Sequence, residues 1–271
     1  MRHFSAADCE ALFDAILVND VVDAMVELPP SIRVDYLAEH LADGFAISRQ
    51  VWREGFDRDA LIAFIAKLRR GEPITADDQI WFKHVRAKFK HLRFAFVLYG
   101  ADHLCPRMFK SVTTSMGLLQ DAFRNGQRGA TVRQSAILRT MLSRLPLKLL
   151  DREVHHLKHS DAAGFREFTL DQIADLRATL AKRELTGHRF HAARKIVSRQ
   201  VSFHDDMRII HPAHEHVVLS RYMSAINGLM GAFHDQLVLR AGHGELDYAH
   251  GTFAMPEDIR ARLEALVARY T

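Results

Sequence analysis

Residues 82–94 read Phe-Lys-His-Val-Arg-Ala-Lys-Phe-Lys-His-Leu-Arg-Phe, cations and large apolar side chains with no acid among them. On a helix, Lys83, Arg86, Lys90 and Arg93 step by three and four and share one side. Phe82, Val85, Phe89, Leu92 and Phe96 occupy the adjoining side. One stripe is therefore a core seam, and the other is a row of cations about 5–6 Å apart. Like charges at that spacing oppose helix formation by about 0.2–0.5 kcal/mol per pair. The nearest carboxylates, Asp78 and Asp102, lie beyond the reach of one turn. Such a row is either an exposed face paired with acids elsewhere in the fold, or a surface that takes a polyanion.

A second stretch repeats the pattern less strictly. His188, His191, Lys195 and Arg199 lie along one side of a helix, with Arg194 flanking and Phe190, Val197 and Val201 on the apolar seam. A third contribution comes from Arg124, Arg128, Arg133, Arg139, Arg144 and Lys148, in a stretch with no acid between Asp121 and Asp151. The net charge is only +4, so this segregation focuses positive potential on part of a nearly neutral chain. Arginine offers forked donors to phosphate oxygens and lysine a mobile point charge, a mixture suited to phosphates that need no base-specific readout. Neutralising several phosphates releases counterions and makes binding steeply salt dependent.

Other chemistries have weaker support in the spacing. His204-Asp205 and His234-Asp235 are His-Asp pairs of the kind that hold a cation in HD-type metal phosphohydrolases, but only Asp247 and Asp258 follow as outlying ligands. His211, His214 and His216 form a candidate zinc set that reads better as a polar loop, because Pro212 interrupts it. His155, His156 and His159 are similarly ambiguous. Arg86 and His91 have the Arg-x4-His spacing of HEPN ribonucleases, which a basic helix generates easily. A Gly-rich phosphate loop, a serine elbow and a paired-cysteine motif are all absent from the sequence. Cys9 and Cys105 stand alone, no apolar leader opens the chain, and no run approaches the length of a membrane span, so a cytoplasmic protein is expected.

The elements that must carry these residues are helical throughout. Ala11, Leu12, Ala15, Ile16 and Val22 keep helical spacing behind a start at Ser5 and Asp8. Leu28-Pro29-Pro30 breaks that helix, and Ser31 is placed to cap the next, whose apolar run extends from Val34 to Val51. Asp57 opens a third helix that stops at Gly71, and Thr75 opens the basic one. Further helices are expected at 109–123, 131–145 (ended by Pro146), 170–185 (closed by Gly187), 188–203, 215–239 and 256–270, with 155–168 irregular. No strand pattern occurs, so the fold class is all-α.

An internal repeat is visible. Met116-Gly117…Asp121 and Met230-Gly231…Asp235 share their spacing at an offset of 114 residues, each downstream of a basic helix. The basic motifs, Lys83-x-x-Arg86 and His191-x-x-Arg194, are offset by 108. Two related helical bundles in tandem follow from this.

With those residues in hand, 83–93 resembles the signature of CHAD domains, the conserved histidine α-helical domains. That signature has the form His-x-x-Arg-x-x-x-Lys/Arg-Arg-Leu-Arg, once in each of two pseudo-symmetric bundles. Lys83 stands at the family's histidine, and Arg86, Lys90, His91, Leu92 and Arg93 fall in register. His191, Arg194 and Arg199 match in the second half, where Ser198 replaces a base, and the two Met-Gly…Asp elements correspond to the family's Leu-Gly-x-x-x-Asp. The resemblance covers roughly residues 35–240. It implies a CHAD-like domain at 35–271, with halves at about 35–150 and 151–271, behind an N-terminal helical extension at 1–34. It also implies non-enzymatic binding of inorganic polyphosphate in a basic channel between the bundles, with a cytoplasmic, granule-associated location. The expected ligands are Lys83, Arg86, Lys90, His91, Arg93, His188, His191, Arg194, Lys195 and Arg199, with Arg133 and Arg144 at the margin. RNA is the alternative polymer. No catalytic residue, metal or cofactor is assigned.

Overall fold

Short-range signals start the helices. Asp57 accepts hydrogen bonds from the amides of Asp59 and Ala60, and Gly71, in the left-handed region at φ 79°, ends that helix. Thr75 and Asp78 form a reciprocal capping box that starts the basic helix. The structure, a computed structural model, describes residues 2–18 and 26–271. Eleven α-helices are present among the described residues, and the fold is all-α as expected. Val22, assigned above to the first helix, lies outside the described residues.

The chain divides into two compact units, Met1–Phe13 with Ala42–Ser160 and Asp14–Leu41 with Asp161–Thr271. The described residues among the first 34 are thus apportioned to both units. In chain order the elements are α1 (Ala6–Leu17), α2 (Ala38–Glu54), α3 (Arg58–Arg70), α4 (Ala76–Tyr99), α5 (Arg107–Arg124), α6 (Arg128–Met141) and α7 (Arg144–His155). They continue with α8 (Ala162–Leu180), β1 (Leu185–Thr186), α9 (Gly187–Ile210), α10 (His214–Gly242), β2 (Thr252–Phe253) and α11 (Glu257–Arg269).

Within the first unit, α4 packs on α5, α5 on α6, and α3 on α6. Phe82, Phe89 and Phe96 recur at seven-residue intervals along α4, and all three are fully buried. Phe82 stacks on Phe64, while Phe89 and Phe96 contact Phe109. Burying each ring is worth about 1.5–3 kcal/mol. That exceeds the few tenths lost per like-charge pair on the adjoining stripe, so the apolar seam decides that this segment is a helix. Arg128 extends the logic of capping. Its Nη1 and Nη2 donate to the carbonyls of Leu68 and Arg69 at the C-terminus of α3, both at 2.8 Å. It is therefore a helix cap, and not part of the free basic surface to which its charge alone assigned it.

The second unit pairs its helices in the same way: α9 on α10, α10 on α11, and α8 on α11. Here Arg260 of α11 donates to the carbonyls of Leu180 and Lys182 beyond the end of α8. An arginine fork from the fourth helix of each group thus closes the C-terminus of its first. Ile32 runs beside Tyr270, with the Ile32 amide donating to the Arg269 carbonyl at 2.7 Å. The helix expected from Ser31 instead begins at Ala38, because this segment is held extended against the C-terminal end.

Other boundaries also move. Pro146 does not end a helix but sits in the first turn of α7, where a missing amide costs nothing. Of the stretch 155–168, residues 156–161 are irregular as expected, but 162–168 already belong to the start of α8. Leu185–Thr186 pairs antiparallel with Thr252–Phe253, so a two-residue strand stands where the end of a helix was expected. Gly187 does not close a helix but opens α9, where a Cβ would fall 2.6 Å from the Tyr248 ring. His216 is not in a loop. It is buried in α10, with Nδ1 3.0 Å from Nδ1 of His204 in α9.

That histidine pair makes a prediction. Burial, then neighbouring His211 and His40, hold His216 down to about 4, and burial pushes His204 well below its usual range. Both are neutral when folded, so the unfolded chain binds more protons below about pH 6.5. The stability is fully present above that pH and is lost as pH falls towards 4. Urea midpoints measured from pH 7 to 4 should fall, and the fall should be smaller in His216→Gln. An unchanged midpoint over that range contradicts this.

Candidate functional site

The cations of α4 do not simply project into solvent. Lys83 and Lys90 are exposed, but Arg86 and Arg93 are half-buried and lean on α5. Arg86 Nη1 donates to Gln120 Oε1 at 3.1 Å, and Arg93 Nη1 to Thr113 Oγ1 at 3.4 Å. The two arginines are seven residues apart, as are their acceptors, so antiparallel helices match them one to one. Gly117 lies between the acceptors, and a Cβ there would stand 3.2 Å from Arg86 Nη2. The absent side chain is what lets the guanidinium lie against the helix.

Both acceptors are neutral. Among the described residues, neither Arg86 nor Arg93 has a salt-bridge partner. Burial lowers Arg86 from its ordinary range, Asp121 partly opposes this, and Arg124 and Arg93 add to it. A guanidinium held this way is partly desolvated without an ion pair, an arrangement that an incoming anion relieves.

The second unit repeats the crossing with different chemistry. The Arg194 guanidinium lies against Gly231, where a Cβ would come within 2.8 Å of Nη2. The His191 and His234 rings are 4.9 Å apart, and His234 Nε2 is 2.9 Å from the Tyr248 hydroxyl. His188 is exposed, with its ring edge-on to Tyr248. One turn further along α9, Ser198 donates to Asn227 Oδ1. His191 Nδ1, His234 Nδ1 and Arg194 Nε are all buried without a hydrogen-bond partner. Burial, with Lys195, His234, Arg194 and His188 nearby, pushes His191 down to about 4. Burial and Arg194 also lower His234, although Asp235 works against them.

Not every expected residue joins these crossings. Arg199 turns the other way and donates to Gln172 of α8, and burial lowers it to about 10. Lys195 is exposed between the two directions. Arg133 is exposed on α6, and Arg144 lines a cavity with Trp52. His91 is 4% exposed and belongs to the core side of α4. Five positions put it about 140° around the helix from Arg86, so the Arg-x4-His pair does not converge. Asp235 points into solvent, Asp205 is buried and accepts from Ser220, and no metal-holding group of three His, Cys, Asp or Glu occurs among the described residues. Sequence reasoning missed Gln120, Thr113, Asn227 and Tyr248. The available signal was the glycine of each Met-Gly pair, which marks where an arginine from the basic helix lands.

In comparisons with known proteins, no family model matches the chain, and no curated protein or solved structure gives a significant match. Fold and crossings together describe an all-α protein with half-buried arginines seated on glycines in each unit.

Gly231→Ala tests what the glycine is for. Alanine in a helix interior is favoured by about 1 kcal/mol, and the group it meets is the movable tip of Arg194. Unfolding by urea should show stability unchanged or raised by up to about 1 kcal/mol, while the Arg194 Nε–H resonance shifts. A large loss of stability would mean that the glycine serves packing alone.

Proposed function

We propose that the protein binds inorganic polyphosphate, as the resemblance to CHAD domains implies, and catalyses no reaction. The supporting observation is the state of the arginines. Arg86, Arg93 and Arg194 are half-buried and met by neutral groups, and at the second crossing His191 Nδ1 and Arg194 Nε have no partner. A fold that needed these charges only for solubility would leave them in water. Exposed Lys83, Lys90, His188 and Lys195 add mobile charge beside each crossing. A chain of phosphates presents closely spaced oxygens without bases to read, which suits forked and point cations together. No helix is long and apolar enough to cross a membrane among the described residues. We place the protein in the cytoplasm, at polyphosphate granules.

Reversing Arg86 and Arg93 to Glu should reduce polyphosphate affinity by at least about tenfold. The same change should flatten its salt dependence by roughly 0.7 for each phosphate that is no longer neutralised. The helical circular dichroism should be retained. Titration of fluorescent polyphosphate at two salt concentrations measures both, and unchanged binding defeats the proposal. Single-stranded RNA in the same titration is the control: RNA that competes as well as polyphosphate at equal charge moves the assignment to the alternative polymer.

A pH dependence follows from the second crossing. His191 is neutral near pH 7 and titrates at about 4 in the free protein. A bound polyanion favours its protonated form and raises that value, so affinity increases as pH falls from 7 to 5. The gain should approach about tenfold and shrink in His191→Gln. Affinity independent of pH in this window would remove the histidines from the site.

A further inference from the structure

We infer that a cavity in the first unit, separate from the arginine–glycine crossings, binds a small planar aromatic carboxylate. The cavity measures about 470 Å³ and lies where the end of α2, the loop into α3 and the start of α7 come together. That size suits a small organic ligand. Trp52, Phe56 and Leu147 give it an apolar lining. Trp52 is 3% exposed and packs edge-on against Phe89 and Phe109, so its ring is fixed in place. Its indole Nε1–H is buried and donates to nothing. That N–H is closed to the cavity as well, so what Trp52 offers a ligand is its apolar ring.

The charges around the cavity point to an anion. Two of its three acids, Asp57 and Asp59, are already engaged. Asp57 accepts two backbone amides as the cap of α3, Asp59 pairs with Arg58 at 2.5 Å, and Asp151 lies 3.6 Å from His155. Arg58 also donates to the Leu142 carbonyl, so it is engaged on both sides. Arg53 Nη1 lies 3.5 Å from His155 Nε2. Arg144 and Lys148 have no partner among the described residues. They lie one turn apart on α7, a like-charge pair that weakens the helix. Arg144 is also the first residue of α7, where the macrodipole disfavours a cation. No acid occupies that first turn, and Ser143 makes no side-chain capping bond. A carboxylate held between these two cations at the cavity would offset their mutual repulsion. The aromatic lining then takes the ring.

The chain's two tryptophans, Trp52 and Trp81, provide the readout. In ¹⁵N-labelled protein, Trp81→Phe assigns the Trp52 indole N–H resonance. Naphthalene-2-carboxylate should move that resonance saturably, and the neutral naphthalene-2-carboxamide should bind at least about tenfold more weakly. Arg144→Gln with Lys148→Gln, both at exposed positions, should weaken the carboxylate by about tenfold with circular dichroism unchanged. No movement up to about 10 mM ligand, equal binding of the amide, or undiminished binding by the double variant each overturns the inference. So does inorganic polyphosphate moving the Trp52 resonance when the carboxylate does not, which would assign the cavity's cations to the polymer.

Discussion

A guanidinium laid against a helix where a glycine leaves room is the contact on which the proposed binding surface depends. Arg86 on Gly117 and Arg194 on Gly231 do this in the two units, each at a crossing of a basic helix with its successor. The contact draws a cation partly out of water while giving it only neutral company. On its own it is unfavourable. It persists because the adjoining face of the helix is anchored by rings such as Phe82, Phe89 and Phe96, each of which contributes more than the charge loses. The hydrophobic seam and the cationic row are thus two sides of one balance.

Arginines in this fold divide by what their forks reach. Arg128 and Arg260 close the C-termini of α3 and α8 through paired carbonyls, and Arg177 reaches the carbonyls of Val267 and Tyr270. These side chains satisfy backbone acceptors that would otherwise lack donors. Arg86, Arg93 and Arg194 reach side chains or lie against a glycine, and Arg144 lines a cavity without a partner among the described residues. Charge and composition are the same in all these cases. The acceptor within reach is what differs.

Histidines show a similar division. His204 and His216 are buried against each other and act as core, sensitive to acid because neither can be charged there at low cost. His191 and His234 also lie ring against ring, but beside an arginine and with His191 Nδ1 left without a hydrogen-bond partner. The first pair is closed, whereas the second is only partly satisfied by the residues around it.

Sequence alone determined the helical class, the caps at Asp57 and Thr75, the ending at Gly71, and the two apolar seams, because each rests on residues within a turn or two of one another. The Met-Gly…Asp repeat was legible for the same reason, as a spacing. What Gly117 and Gly231 do was not legible, since their partners lie about 30 residues or more away and meet them only when antiparallel helices cross. The extended segment at Ile32 and the strand at Leu185 were likewise decided by distant partners, Tyr270 and Phe253, whose backbone groups outcompeted the local helical signal. Arg128 and Arg199 were misplaced in the same way: the cation's position on its helix is local, but the carbonyl or amide that claims it belongs to another helix, and only the tertiary structure brings it near.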